Sequence, residues 1–147
     1  MLVKIRDKEY KLGVYKSPSN GVFEISLFFN DELASKISFG CEIVDNKKRV
    51  WLYSIGTSDN YKKFGLGSKL MQTMEYVALK NNVTHIDGYF YPDDETVASI
   101  FYVKNGYKFN YENGSYFLYK DLKDSVKSNE VITALQKEKN NEMTLDL

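Results

Sequence analysis

The stretch Lys62-Lys63-Phe64-Gly65-Leu66-Gly67-Ser68-Lys69-Leu70 has the residue types and spacing of an anion site. It follows the apolar run Val50 to Ile55 and opens an amphipathic segment, so the pattern reads strand, tight basic loop, helix start. Successive backbone N–H groups in such a loop, with the positive end of the helix dipole behind them, bind phosphate oxygens. Glycine suits it because a Cβ would block close backbone approach or forbid a positive φ. Two familiar phosphate loops are excluded on detail. A Walker loop needs Gly-Lys-Ser/Thr, and the order here is Gly67-Ser68-Lys69. A Rossmann fingerprint needs a third glycine, and Leu70 stands there.

Other reactive side chains are few. Cys41 lies in a β-like run with no histidine near it in sequence, which suits a buried small residue better than a nucleophile. His85 is the single histidine and sits at a strand start. One cysteine and one histidine do not make a zinc site. Glu42, on the run before Val50–Ile55, is the nearest plausible carboxylate base, and a solvated strand position competes with that role.

These residues need elements to hold them. Leu2 to Arg6, Tyr10 to Tyr15, Phe23 to Phe29, Leu33 to Val44 and Val50 to Ile55 are rich in β-branched and aromatic residues. Polar turns separate them at Asp7-Lys8, Ser17 to Gly21, Asn30-Asp31 and Asp45 to Lys48, which predicts an antiparallel meander. From Gly65 to Asn81 the period changes. Leu66, Leu70, Met74, Val77 and Ala78 share one helix face, and Asn81-Asn82 stops it. Thr84 to Tyr91 is a further strand ended by Pro92. Asp93-Asp94 caps a second helix with Glu95 in its first turn, Val97, Ile100 and Phe101 inward, and Asn105-Gly106 at its end. Tyr107 to Tyr111 and Tyr116 to Tyr119 flank Asn113-Gly114 as a hairpin. The charged, aromatic-free tail, 121–147, has a weak apolar spacing at Val126, Val131, Ile132 and Leu135, and reads as a short helix with loosely tied last residues.

The chain has 147 residues, 43% hydrophobic and 15% aromatic, which predicts one packed domain over about 1–120 plus the extension. Twenty basic and twenty acidic residues balance, so nothing global points to nucleic acid, and the aromatics suit a core or pocket better than base stacking. No apolar run approaches the roughly 20 residues of a membrane span. The single cysteine suits a reducing compartment, and a cytoplasmic protein is the expectation.

The order of these elements, from about Val50 to Phe109, resembles the GNAT superfamily of acetyl-CoA-dependent N-acetyltransferases. Lys62-Lys63-Phe64-Gly65-Leu66-Gly67 fits the signature Arg/Gln-x-x-Gly-x-Gly/Ala with lysine first. Ala98-Ser99-Ile100-Phe101-Tyr102-Val103-Lys104-Asn105-Gly106-Tyr107 fits Ala-x-x-x-Tyr-x-x-x-Gly-Phe/Tyr. The resemblance implies an α/β (α+β) fold of GNAT type: a mixed, mostly antiparallel sheet with helices on both faces. It implies acetyl transfer from acetyl-CoA to a primary amine by direct attack in a ternary complex. The pyrophosphate would lie on Lys62, Lys63, Phe64, Gly65, Leu66, Gly67 and Ser68, and the pantetheine arm near Ile55 and Thr57. Gly56 would mark a bulge or close approach in that strand, and a strand amide there would polarise the thioester carbonyl. Tyr102 would protonate the leaving thiolate.

Four departures stand out. Lysine replaces Arg or Gln at 62, Glu95 stands where asparagine is common, and the Val50–Ile55 strand lacks a carboxylate. The first 50 residues show no helix pair, which implies an abbreviated acceptor side. The implied partner is an amine acceptor, small molecule or protein amine, with a homodimer compatible and no membrane partner. The rival reading is a non-catalytic acyl-CoA-binding or interaction module of the same fold.

Overall fold

The computed structural model describes residues 1–19, 21–90, 95–122 and 126–137, with the backbone alone at 95–97. Its strands are β1 (Leu2–Ile5), β2 (Lys8–Lys16), β3 (Val22–Phe29), β4 (Glu32–Val44), β5 (Lys47–Thr57), β6 (His85–Phe90), β7 (Lys108–Glu112) and β8 (Ser115–Asp121). The helices are α1 (Leu66–Lys80), α2 (Glu95–Lys104) and α3 (Glu130–Lys137). The strands make one sheet in the order β1-β2-β3-β4-β5-β6-β8-β7. Every junction is antiparallel except β5–β6, which is parallel. The mixed, mostly antiparallel sheet read from the sequence is what forms.

Turn chemistry explains why the meander was legible. Asn30 and Asp31 (φ 49° and 64°), Asp45 and Asn46 (53° and 65°), and Asn113 and Gly114 (49° and 84°) all hold left-handed backbone. Two such residues in succession twist a hairpin the way its strands twist, and Asn, Asp and Gly reach that region at least cost.

Strand alternation sends Phe23, Ile25, Leu27, Ile37, Phe39, Val50, Leu52, Ile86 and Leu118 to one face, all buried. Helix α1 lays Leu66, Leu70, Met74, Val77 and Ala78 against it, the residues that its 3.6-residue spacing selects. The weak spacing of the tail becomes α3, which packs on α1 and β1 and buries Val131 and Ile132. Asn129 caps it: its Oδ1 accepts from the amides of Val131 (2.9 Å) and Ile132 (3.0 Å), while its Nδ2 donates to the Lys69 carbonyl (3.1 Å).

One expectation is revised. Ile100 was expected inward; it is 66% exposed, because α2 turns Phe101 and Tyr102 inward instead. Pro92, the Asp93-Asp94 cap, the side chains of Glu95 and Val97, and residues 138–147 lie outside the described residues. No described helix is long and apolar enough to cross a membrane.

Candidate active site

The parallel pairing of β5 with β6 is short: Val50–Leu52 face Ile86–Gly88, and there it stops. Beyond it β6 stays with β8, through Tyr89 and Phe90. The stretch Tyr53 to Thr57 of β5 keeps β4 on one side and, among the described residues, has no strand on the other. The sheet therefore opens into a wedge along a row of backbone groups free to bind a ligand. A bulge shapes this edge, and it lies at Tyr53 rather than at Gly56. The register slips between Ser38↔Ser54 and Phe39↔Leu52, leaving Tyr53 extra, whereas Gly56 pairs normally with Lys36. A Cβ at Gly56 would meet no protein atom within 4 Å, so the packing of the described chain does not require glycine there. Ile55 and Thr57 lie on this open stretch, both half-buried. Thr57 Oγ1 is 2.9 Å from Ser35 Oγ, which donates to the Gly56 carbonyl at 3.0 Å. A cavity of about 350 Å³ runs alongside, between Leu33–Lys36 and Ser54–Ser58.

From Thr57 the chain passes through Ser58, whose Oγ donates to the Leu33 carbonyl (2.7 Å), and a tight turn at Asp59–Tyr61. Lys62 is ion-paired with Asp59 at 3.0 Å, and Lys63 has a φ of 78°. Phe64 is half-buried on the core. Gly65 (φ 75°) is the N-cap of α1 and offers no side-chain cap. The first hydrogen bond into the helix is from the Lys69 amide to the Gly65 carbonyl (3.2 Å), so the amides of Leu66, Gly67 and Ser68 have no intrahelical partner. Left-handed turns and uncapped helix-start amides of this kind are the donors that anion sites use. Gly65 is glycine for its φ. Gly67 is glycine for a different reason: a Cβ there would lie 3.1 Å from Phe101 Cε1, so it lets α2 close onto α1.

Helix α2 brings Tyr102 to the same opening. Its ring packs 5.1 Å from that of Phe90, the last residue of β6 and already past the parallel pairing. Tyr102 is 8% exposed, and burial raises its phenol pKa, so it holds its proton. The end of α2 is tied down on three sides. Asn105 Nδ2 donates to Ser68 Oγ at 3.2 Å, joining α2 to the loop. Lys120 Nζ donates to the Asn105 carbonyl (2.8 Å) and to Glu75 Oε1 of α1 (2.9 Å). Tyr107 donates its hydroxyl to Glu75 Oε2 (2.9 Å); burial, then the Glu75 charge, push its pKa well up.

The remaining candidates lie elsewhere. Glu42 accepts from Arg49 Nη2 at 2.7 Å and pairs with Arg49 in register. It lies five positions along β4 from Ile37, the partner of Ile55, which is roughly 17 Å along the strand. It is a salt-bridge residue away from the wedge. His85 bridges Asp87 and Asp121, with both nitrogen–oxygen distances 2.6 Å. Burial would lower its pKa; the hydrogen bond to Asp121 and the Asp87 charge outweigh that, and the net shift is upward. Burial raises the Cys41 thiol pKa, and Cys41 pairs with Val50, before the wedge. Among the described residues no acid, histidine and cysteine cluster could hold a metal ion. A larger cavity, about 690 Å³, lies between β1 and α3 and contains none of the predicted site residues. Ser35, Phe101 and Asn105 escaped the sequence reading as site residues. Only Asn105, beside the motif glycine Gly106, carried a local signal.

Comparison with known proteins agrees with this geometry. The family model described as "Acetyltransferase (GNAT) family" matches residues 9–107. Among solved structures, the PaiA N-acetyltransferase of Thermoplasma acidophilum in complex with coenzyme A is 20% identical with a TM-score of 0.59. The match covers 69% of this chain and 61% of that one, so this chain spans about three fifths of that relative's length. Arabidopsis thaliana Naa50 in complex with the bisubstrate analogue CoA-Ac-MVNAL is 22% identical (TM-score 0.57), covering 67% of this chain and 72% of that one. A Bacillus subtilis acetyltransferase in complex with CoA is 16% identical (TM-score 0.60), covering 78% and 99%. No curated protein sequence matches the chain. The match over more than half of the chain, on a fold shared with these structures, shows that the chain belongs to the GNAT family of acetyltransferases.

Proposed function

We propose that this chain transfers an acetyl group from acetyl-CoA to a primary amine by direct attack in a ternary complex. One observation carries the reading: the uncapped start of α1 and the buried Tyr102 phenol are both held at the opening between β5 and β6. The amides from Lys63 to Ser68, with the Lys62 ammonium at the rim, would hold the pyrophosphate. The free edge of β5 near Ile55 and Thr57 would hold the pantetheine arm and present an amide to the thioester carbonyl. Tyr102 would protonate the departing thiolate as the tetrahedral intermediate collapses. Holding both reactants at one opening supplies much of the rate. Cys41, the single cysteine, is not at the opening, which supports direct attack without an acyl-enzyme. Two of the similar structures hold coenzyme A and one a CoA bisubstrate analogue, which supports this donor. The acceptor class stays open between small amines and protein amines, and a reducing, cytoplasmic setting accords with the single cysteine.

The test has two readouts. Acetyl-CoA at one hundred times its Kd should stabilise the fold by about 2.7 kcal/mol, read as a raised thermal midpoint. Free thiol should then appear when a panel of amines is added. No shift at saturating acetyl-CoA sinks the donor assignment. A shift with no turnover on any amine favours the non-catalytic binding module.

A further inference from the structure

An alkylamine acceptor arrives as an ammonium and must lose a proton before it can attack. The β5 strand has no carboxylate, and Glu42 is held by Arg49 away from the wedge. The pyrophosphate loop and Tyr102 lie on the helix-covered face, so the other face is the one left for the acceptor. On β3 the side chains of Phe23, Ile25 and Leu27 point into the core, which turns Glu24 to that other face. Glu24 pairs with Ser38 on β4, and Ser38 pairs with Ser54 on β5. Ser54 is the first residue after the bulge, on the open stretch. The Ser38 hydroxyl is nearly buried and donates to Glu24 Oε1 at 3.2 Å. Paired strands lie about 4.8 Å apart, so one water or the Ser54 hydroxyl spans the remaining step.

We infer that Glu24, acting through Ser38, receives the proton of the acceptor's ammonium. This rests on the acetyl-transfer reading above. The proton passes from the ammonium to a water or the Ser54 hydroxyl, from there to Ser38, and from Ser38 to the Glu24 carboxylate. The freed amine forms the C–N bond, the C–S bond breaks and the thiolate takes the Tyr102 proton; the second proton of the acetylated nitrogen passes through water to the Tyr102 phenolate, and Glu24 returns its own proton to solvent. The groups facing Glu24 are Tyr15, its register partner on β2, and on β4 the Ser38 hydroxyl and the Lys36 ammonium at 4.0 Å. Lys16 turns to the opposite face, over the Phe23 ring at 5.2 Å. The carboxylates Asp87 and Asp121 on Glu24's face are engaged by His85, beside the closed part of the β5–β6 pair.

The test is the pH profile of kcat/KM for Glu24→Gln and Ser38→Ala, using the alkylamine from the panel that releases most thiol. At neutral pH both variants should fall on the order of a hundredfold. The deficit should shrink about tenfold per pH unit towards the amine's own pKa, where the free amine needs no proton acceptor. The acetyl-CoA thermal shift should match the wild type in both. A deficit of equal size at every pH marks a merely structural role and overturns the inference, as does wild-type activity at neutral pH. Both of these outcomes leave the acetyl-transfer reading standing. No thiol release with any amine overturns that reading and this inference together.

Discussion

A tyrosine that is to give a proton to a thiolate must still hold that proton when the thiolate forms. Burial against Phe90, Phe101 and Tyr107 keeps the Tyr102 phenol neutral. Tyr102→Phe should therefore lower turnover on the order of a hundredfold or more while leaving the acetyl-CoA thermal shift intact. Equal rates would remove its acid role. The two loop glycines separate under mutation as well. Gly67→Ala puts a methyl 3.1 Å from Phe101 Cε1 and should cost about 1–3 kcal/mol of stability by denaturant titration. Adding Phe101→Leu should recover part of that; no recovery would deny that Phe101 is the obstacle. At this scale the sequence was legible where a residue's reason is local. Gly65 is glycine for its own φ, which the loop pattern alone predicts. It was silent where the reason lies on another strand. Ser35 matters through Thr57, and Glu24 through Ser38, partners 22 and 14 residues away.

Helix α2 depends on its far end as much as on its motif. Lys120 holds both the Asn105 carbonyl and the buried Glu75 carboxylate, which Tyr107 also engages. Lys120→Met leaves the carboxylate buried without its cation and should destabilise the fold by about 3–5 kcal/mol. Combining it with Glu75→Gln should cost less than Lys120→Met alone, as a double-mutant cycle on unfolding midpoints would show. A double variant no better than the single would mean that the ion pair is not the source of the loss. Elements were readable because their signals are short-range: paired left-handed residues at the hairpins and the 3.6-residue spacing of α1. The bulge was not, since it exists only in the register between β4 and β5. Ile100 was misassigned because α2 takes its inward direction from Gly67 and Phe90, which other segments supply.

Across the whole molecule the sheet has two unlike faces, one under helices and one bearing aromatic and charged side chains. A charged line crosses the second of these faces: Glu42, Arg49, Asp87, His85 and Asp121. His85 has its pKa raised in the fold, so its contribution to stability is complete below its unfolded pKa of about 6.5 and fades as pH rises through the folded value. The free energy of unfolding should therefore fall over that window, and His85→Gln should flatten the slope. An unchanged slope would show that the histidine is not its source. The same face holds Trp51, the single tryptophan of the chain, with Arg49 at 4.8 Å and Tyr89 at 5.3 Å from its ring. The protein thus carries its own optical reporter, mounted on one side only. Tryptophan emission should change when an amine acceptor is added and stay level when coenzyme A alone is bound. A response to the coenzyme alone would put the two reactants on the wrong sides of the sheet.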